Sequence, residues 1–121
     1  MRSRNAKAIA VVDDDRRVLN SLANLLASCG YGTQLFISGD LFLAADRSDF
    51  LCVITDLGMR PIDGLEVLRR VRSRPGALPV IIITGKPGDR PESFYLDHGA
   101  VGFFRKPVDG DALIALIDQF Q

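Results

Sequence analysis

Three runs in this chain, 8-AIAVV-12, 50-FLCVIT-55 and 80-VIII-83, are apolar and rich in Val and Ile. A strand with one face in water alternates apolar and polar residues, whereas a continuous apolar run marks a strand buried on both faces. Such strands need a layer above and a layer below, and the segments between them have the helical period that supplies one. Val18, Leu19, Leu22, Leu25 and Leu26 recur at helical spacing before Gly30. Asp63 and Glu66 stand where a cap and its third residue would, ahead of Leu65, Leu68 and Val71. Arg69, Arg70, Arg72 and Arg74 are expected in the last turn of that helix, where cations suit the dipole, and Pro75 and Gly76 end it. Ser38 or Asp40 is the candidate cap of a short helix through Leu41, Leu43 and Ala44. Pro91 opens another and Gly99 closes it, and a last helix carries Leu113, Ile114, Leu116, Ile117 and Phe120. Two more strands are read at 31-YGTQLFI-37 and 100-AVGFF-104. Phe103 and Phe104 are adjacent on the latter and face opposite ways, so one is expected in the core and the other partly exposed.

Five strands alternating with five helices predict an α/β fold: parallel βαβ units in an open, doubly wound sheet with helices on both faces. The chain is expected to be a single domain, 1–121, with no second domain after the fifth helix. Fifteen basic and 15 acidic side chains cancel to a formal net charge of zero, which gives no bulk electrostatic argument for nucleic-acid or membrane binding. No apolar run approaches the roughly 20 residues that span a bilayer, so no membrane role is expected. The N-terminal MRSRNAKAIAVV is basic, but its apolar run is short and acids follow at once, against a signal peptide. Cys29 and Cys52 sit in apolar surroundings without metal-ligand spacing, so two reduced, buried thiols in a cytoplasmic protein are expected.

In folds of this class the ligand site lies beyond the C-terminal strand ends, near the topological switch point. Strand one runs into Asp13 and Asp14, strand three into Asp56, strand four into Thr84 and Gly85, and strand five into Lys106 and Pro107. An Asp after a strand is on its own most often a helix cap. Chemically matched groups on four loops at one sheet edge are a stronger signal. The chemistry they suit is phosphoryl transfer to a carboxylate. Carboxylates from strands one and three would hold Mg²⁺, which prefers oxygen ligands. The metal and Lys106 would neutralise charge on the transferring phosphoryl oxygens, the Thr84 hydroxyl would donate to one of them, and Asp56 would be the nucleophile.

The set VVDDD, then ITDLGM with a later DG, then VIIITG, then FFRKP closely resembles the receiver domains of bacterial two-component response regulators, over essentially the whole chain. The resemblance implies a flavodoxin-like (βα)5 fold with strand order 2-1-3-4-5. It implies that Asp56 is the phosphoacceptor and that Asp13 and Asp14 are the acidic pair, with Asp14 the more direct Mg²⁺ ligand and Mn²⁺ an alternative ion. The backbone carbonyl of Gly58 would be a further ligand, and Gly85, Thr84 and Lys106 would bind phosphate. Thr84 and Phe103 match the switch positions, and a cis Lys106–Pro107 peptide is implied. The partner would be a sensor histidine kinase or phosphotransfer protein whose phosphohistidine is the donor. The readout would be a changed surface on the fourth helix, fifth strand and fifth helix, which is also where a homodimer would form. TGKPGD and the closing helix resemble receivers attached to helix-turn-helix DNA-binding domains, an output domain not expected within this chain.

The sequence departs from the family's Asp-x-x-Met-Pro-x-x-Asp-Gly loop. In 56-DLGMRPIDG-64, Met59, Asp63 and Gly64 match, but Arg60 takes the Pro position and Pro61 follows it. Gly58 puts no side chain beside the attacking-water position. Asp15 is read as a first-turn helix residue that serves stability more than chemistry. His98 is expected to be exposed, and the Gly- and Pro-rich 85-GKPGDRP-91 to be a loop that moves in the absence of phosphate. Two other readings compete. Asp13-x-Asp15 would suit a haloacid-dehalogenase-type phosphatase with Asp13 as nucleophile, but no acidic pair on a strand follows Lys106 and Asp56 would have no role. A receiver serving only as a phosphorylation-independent interaction module would have no need of Asp14, Asp56, Thr84 and Lys106 together.

Overall fold

The computed structural model of the chain describes residues 7–86 and 90–121. Part of the basic N-terminal segment, and residues 87–89 of the loop expected to move, lie outside the described residues. The elements alternate throughout: β1 (Ala8–Val12), α1 (Arg16–Ser28), β2 (Thr33–Phe36), α2 (Gly39–Ala44), β3 (Phe50–Asp56), α3 (Gly64–Arg72), β4 (Val80–Thr84), α4 (Glu92–Asp97), β5 (Gly102–Arg105) and α5 (Gly110–Asp118). The five strands form one parallel sheet in the order β2-β1-β3-β4-β5, as expected from the resemblance.

The uninterrupted apolar runs have a direct cause. Successive side chains on a strand point to opposite faces, and both faces of this sheet are covered. Ile9, Val11, Cys52, Ile54, Ile81 and Ile83 pack against Leu19, Leu22 and Leu26 of α1 and Leu113 and Ile117 of α5. Ala10, Val12, Val53, Val80 and Ile82 pack against Phe42 of α2, Val67, Leu68 and Val71 of α3, and Tyr95 of α4. Each fully buried Val, Ile or Leu stabilises the fold by roughly 1.5–3 kcal/mol of transfer free energy. Phe36, Phe42 and Phe50 fill the β2 edge of the second layer with ring centroids 5.5–6.1 Å apart.

Side-chain caps fix where α1, α2, α3 and α5 begin. Ser38 Oγ accepts from Leu41 N at 3.1 Å, Asp63 Oδ1 from Glu66 N at 2.9 Å, and Asp109 Oδ1 from Ala112 N at 3.2 Å. Such caps are each worth about 1 kcal/mol. Of the two candidates for α2, Ser38 is the cap and Asp40 lies in the first turn. Asp15 is the N-cap of α1 instead of a first-turn residue, with its carboxylate accepting from Arg17 N at 2.9 Å. Arg69, Arg70 and Arg72 occupy the last turn of α3, but Arg74 lies beyond Ser73, the C-cap.

Other differences follow from where the sheet ends. Cys52 is buried in β3, and burial pushes its thiol up to about 12. Cys29 is exposed, against expectation, because the apolar stripe of α1 ends at Leu26 and the chain reverses at Gly30, where φ is +88°. Phe103 and Phe104 do face opposite layers, but both are half-buried, because β5 is an edge strand with a neighbour on one side only. His98 is exposed at the end of α4. No helix among the described residues is long and apolar enough to cross a membrane.

Candidate functional site

The parallel topology carries the C-terminal ends of β1, β3, β4 and β5 to one edge, and the switch in strand order falls between β1 and β3. Asp13 and Asp14 leave β1, Asp56 ends β3, Thr84 ends β4, and Lys106 follows β5. Carboxylate oxygens of Asp13, Asp14 and Asp56 lie within 4.8 Å of one another. Lys106 Nζ stands between two of them, 2.9 Å from Asp13 Oδ2 and 3.1 Å from Asp56 Oδ1. Asp13 is fully buried, Asp56 is 7% exposed, and Asp14 faces solvent. Three carboxylates against one ammonium leave a formal charge of two minus, which one divalent cation would neutralise.

The three aspartates differ in what they have left to offer. Asp13 is committed at both oxygens, because Oδ1 accepts from Asp15 N at 2.9 Å while Oδ2 takes Lys106. Burial raises its pKa, an effect to which the Asp56 charge adds and which the Lys106 and Asp15 hydrogen bonds only partly offset. Burial works against the Lys106 charge, but the hydrogen bonds to Asp13 and Asp56 outweigh it and lift its pKa above the ordinary lysine value. The exposed Asp14 carboxylate and Asp56 Oδ2 are therefore the oxygens best placed to meet an ion or a substrate. An all-oxygen set of hard donors suits Mg²⁺, so the residues present fit that ion.

Two glycines shape the approach to Asp56. A Cβ on Gly64 would stand 2.5 Å from the Asp56 carbonyl oxygen and 2.8 Å from Leu57 Cα. Only glycine lets the start of α3 close onto the end of β3, a contact sealed by Gly64 N donating to Leu57 O at 3.1 Å. On the open side, a Cβ on Gly58 would meet nothing nearer than Asp56 Oδ2 at 3.9 Å, so the space at Gly58 beside that oxygen is open. Gly85 is exposed against the Lys106 stem. Thr84 Oγ1 is turned to its own loop, donating to Lys86 O at 2.9 Å and accepting from Lys86 N at 3.3 Å. Phe103 lies back along β5, outside the acidic cluster. The Lys106–Pro107 and Arg60–Pro61 peptides are both cis.

The response regulator receiver domain profile matches residues 9–118. The chain belongs to the response regulator receiver domain family. It is 40% identical over 112 residues to the transcriptional regulatory protein FixJ of Bradyrhizobium diazoefficiens, covering 91% of this chain and 54% of FixJ. It is 36% identical over 117 residues to the response regulator protein TodT of Pseudomonas putida, covering 95% of this chain and 51% of TodT. A response regulator receiver protein from Pseudomonas putida superposes with a TM-score of 0.84 at 28% identity, over 98% of this chain and 99% of that one. The chain thus spans about half the length of the curated relatives it matches. Receiver domains are signalling modules of two-component systems and not conventional enzymes, which disposes of the phosphatase reading. The geometry agrees, because Asp13 is sealed by Lys106 and Asp15, and the Asp15 side chain caps a helix.

The candidate residues lie at or just past the strand ends that the sequence pattern indicates, but two relations among them have no sequence signature. Asp15 has no sequence mark beyond a helix-start residue, yet its N–H holds Asp13 in place. The Asp13–Lys106 pair spans 93 residues of sequence and has no local signature. The DG at Asp63–Gly64 was the visible trace of the close approach at Asp56.

Proposed function

We propose that the chain is a phosphorylation-driven switch in which Asp56 accepts a phosphoryl group from the phosphohistidine of a sensor kinase or phosphotransfer protein. The observation that carries this is Lys106 Nζ held between Asp13 and Asp56 beside the exposed Asp14. A carboxylate oxygen of Asp56 attacks phosphorus, the P–N bond to the donor imidazole breaks, and the electron pair leaves with the imidazole nitrogen. Lys106 is already at the nucleophile and can follow the charge from the carboxylate to the phosphoryl oxygens, a preorganised arrangement that needs little rearrangement in the reaction. Asp13 anchors Lys106 in that position. Asp14, Asp56 and the Gly58 carbonyl would hold Mg²⁺, or Mn²⁺ in its stead, and Asp13 would add its charge from behind. When bound, the ion supplies Lewis-acid stabilisation of phosphoryl oxygen charge.

The phosphoryl group changes the charge at Asp56 to about −1.5 to −2 and adds acceptor oxygens. Thr84 would exchange its bond to Lys86 O for one to a phosphoryl oxygen, with Gly85 giving close backbone access. Phe103 would reorient in response, altering the surface of α4, β5 and α5 by a shift in population between two arrangements. That surface is the proposed homodimer contact. A DNA-binding output domain would be a partner outside this sequence, and the cytoplasm is the proposed location.

The test is incubation with a small phosphodonor such as acetyl phosphate and Mg²⁺, followed by mapping of the modified residue. Asp56 should carry the label, and Asp56→Asn should carry none. Unmodified Asp56 in a folded chain that binds the metal would sink the proposal. Full signalling output from Asp56→Asn would favour a phosphorylation-independent module instead.

A further inference from the structure

The proposed switch uses Thr84 and Phe103, but the residue against which Phe103 lies belongs to neither role. Tyr95 of α4 is buried at 5% exposure, and its ring stacks on Phe103 with centroids 5.4 Å apart and planes 24° apart. Phe94 meets Tyr95 edge-on at 5.2 Å, and the Arg90 guanidinium covers Phe94 at 4.2 Å. The Arg105 guanidinium lies 5.9 Å from the Phe103 centroid. This cluster ties α4 to β5 by ring contacts. The strand that carries Phe103 is locked to Thr84: Arg105 stands opposite Thr84 in the β4–β5 register, and Lys106 N donates to Thr84 O at 2.8 Å. The Thr84 hydroxyl has one proton to donate, and here it goes to Lys86 O. The arrangement with Phe103 stacked on Tyr95 is thus one in which Thr84 has no proton for Asp56.

We infer that Tyr95 is a positioning residue for the switch: its ring holds Phe103 in the arrangement that accompanies the Thr84–Lys86 bond. This rests on the reading of Asp56 as phosphoacceptor. Whatever stabilises one arrangement weakens every ligand that requires the other, and by the same factor in both directions. The Tyr95–Phe103 stack therefore sets the affinity of the site for a phosphoryl group or its mimic.

The experiment is calorimetric titration of the chain with beryllofluoride, a phosphoryl mimic, in the presence of Mg²⁺. Tyr95→Leu removes the ring and is expected to tighten binding by about two- to tenfold, the range one aromatic pair supports. Tyr95→Phe keeps the ring and should stay within about twofold of the parent, a rescue that loss of general packing would not give. Unchanged or weaker binding in folded Tyr95→Leu overturns the inference, as does Tyr95→Phe behaving like Tyr95→Leu. If Tyr95→Leu does not fold, Phe103→Leu removes the same stack from β5 and must shift binding in the same direction; no shift overturns it equally. A parent chain that binds no more beryllofluoride than Asp56→Asn sinks the phosphoacceptor reading instead. In that case the Phe103 ring resonances decide the positioning role: Tyr95→Leu must change them more than Tyr95→Phe does, and equal spectra overturn it.

Discussion

Replacing Lys106 by Met should cost the fold stability that Mg²⁺ then restores. The methionine keeps most of the stem that lies against Gly85 and removes the ammonium. Asp13 and Asp56, with side chains 0% and 10% exposed, then face each other without a cation. Their oxygens lie within 4.8 Å, a separation at which two charges repel by about 3–4 kcal/mol at an effective dielectric near 20. Removing one partner of a buried pair typically costs 3–5 kcal/mol. The 23% exposure of the Lys106 side chain lets water soften the loss, so about 2–4 kcal/mol is expected. The assay is urea denaturation in chelator and in millimolar Mg²⁺. With a slope of about 1–3 kcal/mol per molar, the midpoint in chelator should fall by roughly 1–4 M. The variant's acidic cluster has a formal charge of three minus instead of two minus, so Mg²⁺ should stabilise it more than it stabilises the parent. Equal midpoints in chelator, or an equal gain from Mg²⁺ in both proteins, would refute the claim that Lys106 holds the acidic cluster together.

Gly64→Ala should lower the melting temperature by several degrees and slow labelling of Asp56. The added Cβ meets backbone atoms at 2.5 and 2.8 Å that cannot yield without moving the end of β3, and overpacking of this kind costs about 1–3 kcal/mol. A melting curve superimposed on the parent's would contradict this. Tyr31 provides a test at high pH. Burial, the hydrogen bond its hydroxyl donates to Asp118 and the charge of that carboxylate push its pKa up to about 12, from 10.0 in the open chain. A raised folded pKa means stability that is fully present below pH 10 and lost as pH rises towards 12. Because Asp118 is exposed, the contribution is about 1–2 kcal/mol after screening. Tyr31→Phe should therefore show a shallower decline between pH 10 and 12 than the parent by chemical denaturation, and parallel curves would count against the bond.

How legible the molecule is depends on the range of the interaction. The three central strands and the capped helices are written in local pattern, because burial on both faces forces continuous apolar runs and each side-chain cap lies within three residues of the group it binds. Cys29 departs from expectation because apolar neighbours in sequence do not say where a helix turns away from its sheet. Phe103 and Phe104 lie on opposite faces as expected but are both half-buried for a related reason: opposite faces follow from strand period, whereas burial follows from whether the strand is central or at the edge. The Tyr95–Phe103 stack joins a helix to the strand that follows it, and nothing in their spacing announces it.

The acidic triplet illustrates the same division at the scale of three residues. Asp13 is the first residue past β1, and its backbone N–H still pairs with Phe36 O at 3.0 Å. That pairing keeps its side chain at the depth of the sheet, where among the described residues Lys106 Nζ and Asp15 N–H donate to it. One residue later the chain is free of the ladder and Asp14 faces solvent, available to an incoming ion. One residue later again, Asp15 must begin a helix, and its carboxylate turns forward to Arg17 N while its own N–H points back to Asp13. Three identical side chains thus acquire a structural, an electrostatic and a capping role from the path of the backbone between strand and helix. The like charges are tolerated because each is met by a different partner: an ammonium, water, and the positive end of α1. Moving the aspartates by one position would exchange these partners, so the register of the β1–α1 turn, as much as the presence of three acids, is what sets a buried ion pair, a solvent-facing carboxylate and a helix cap side by side at this edge of the sheet.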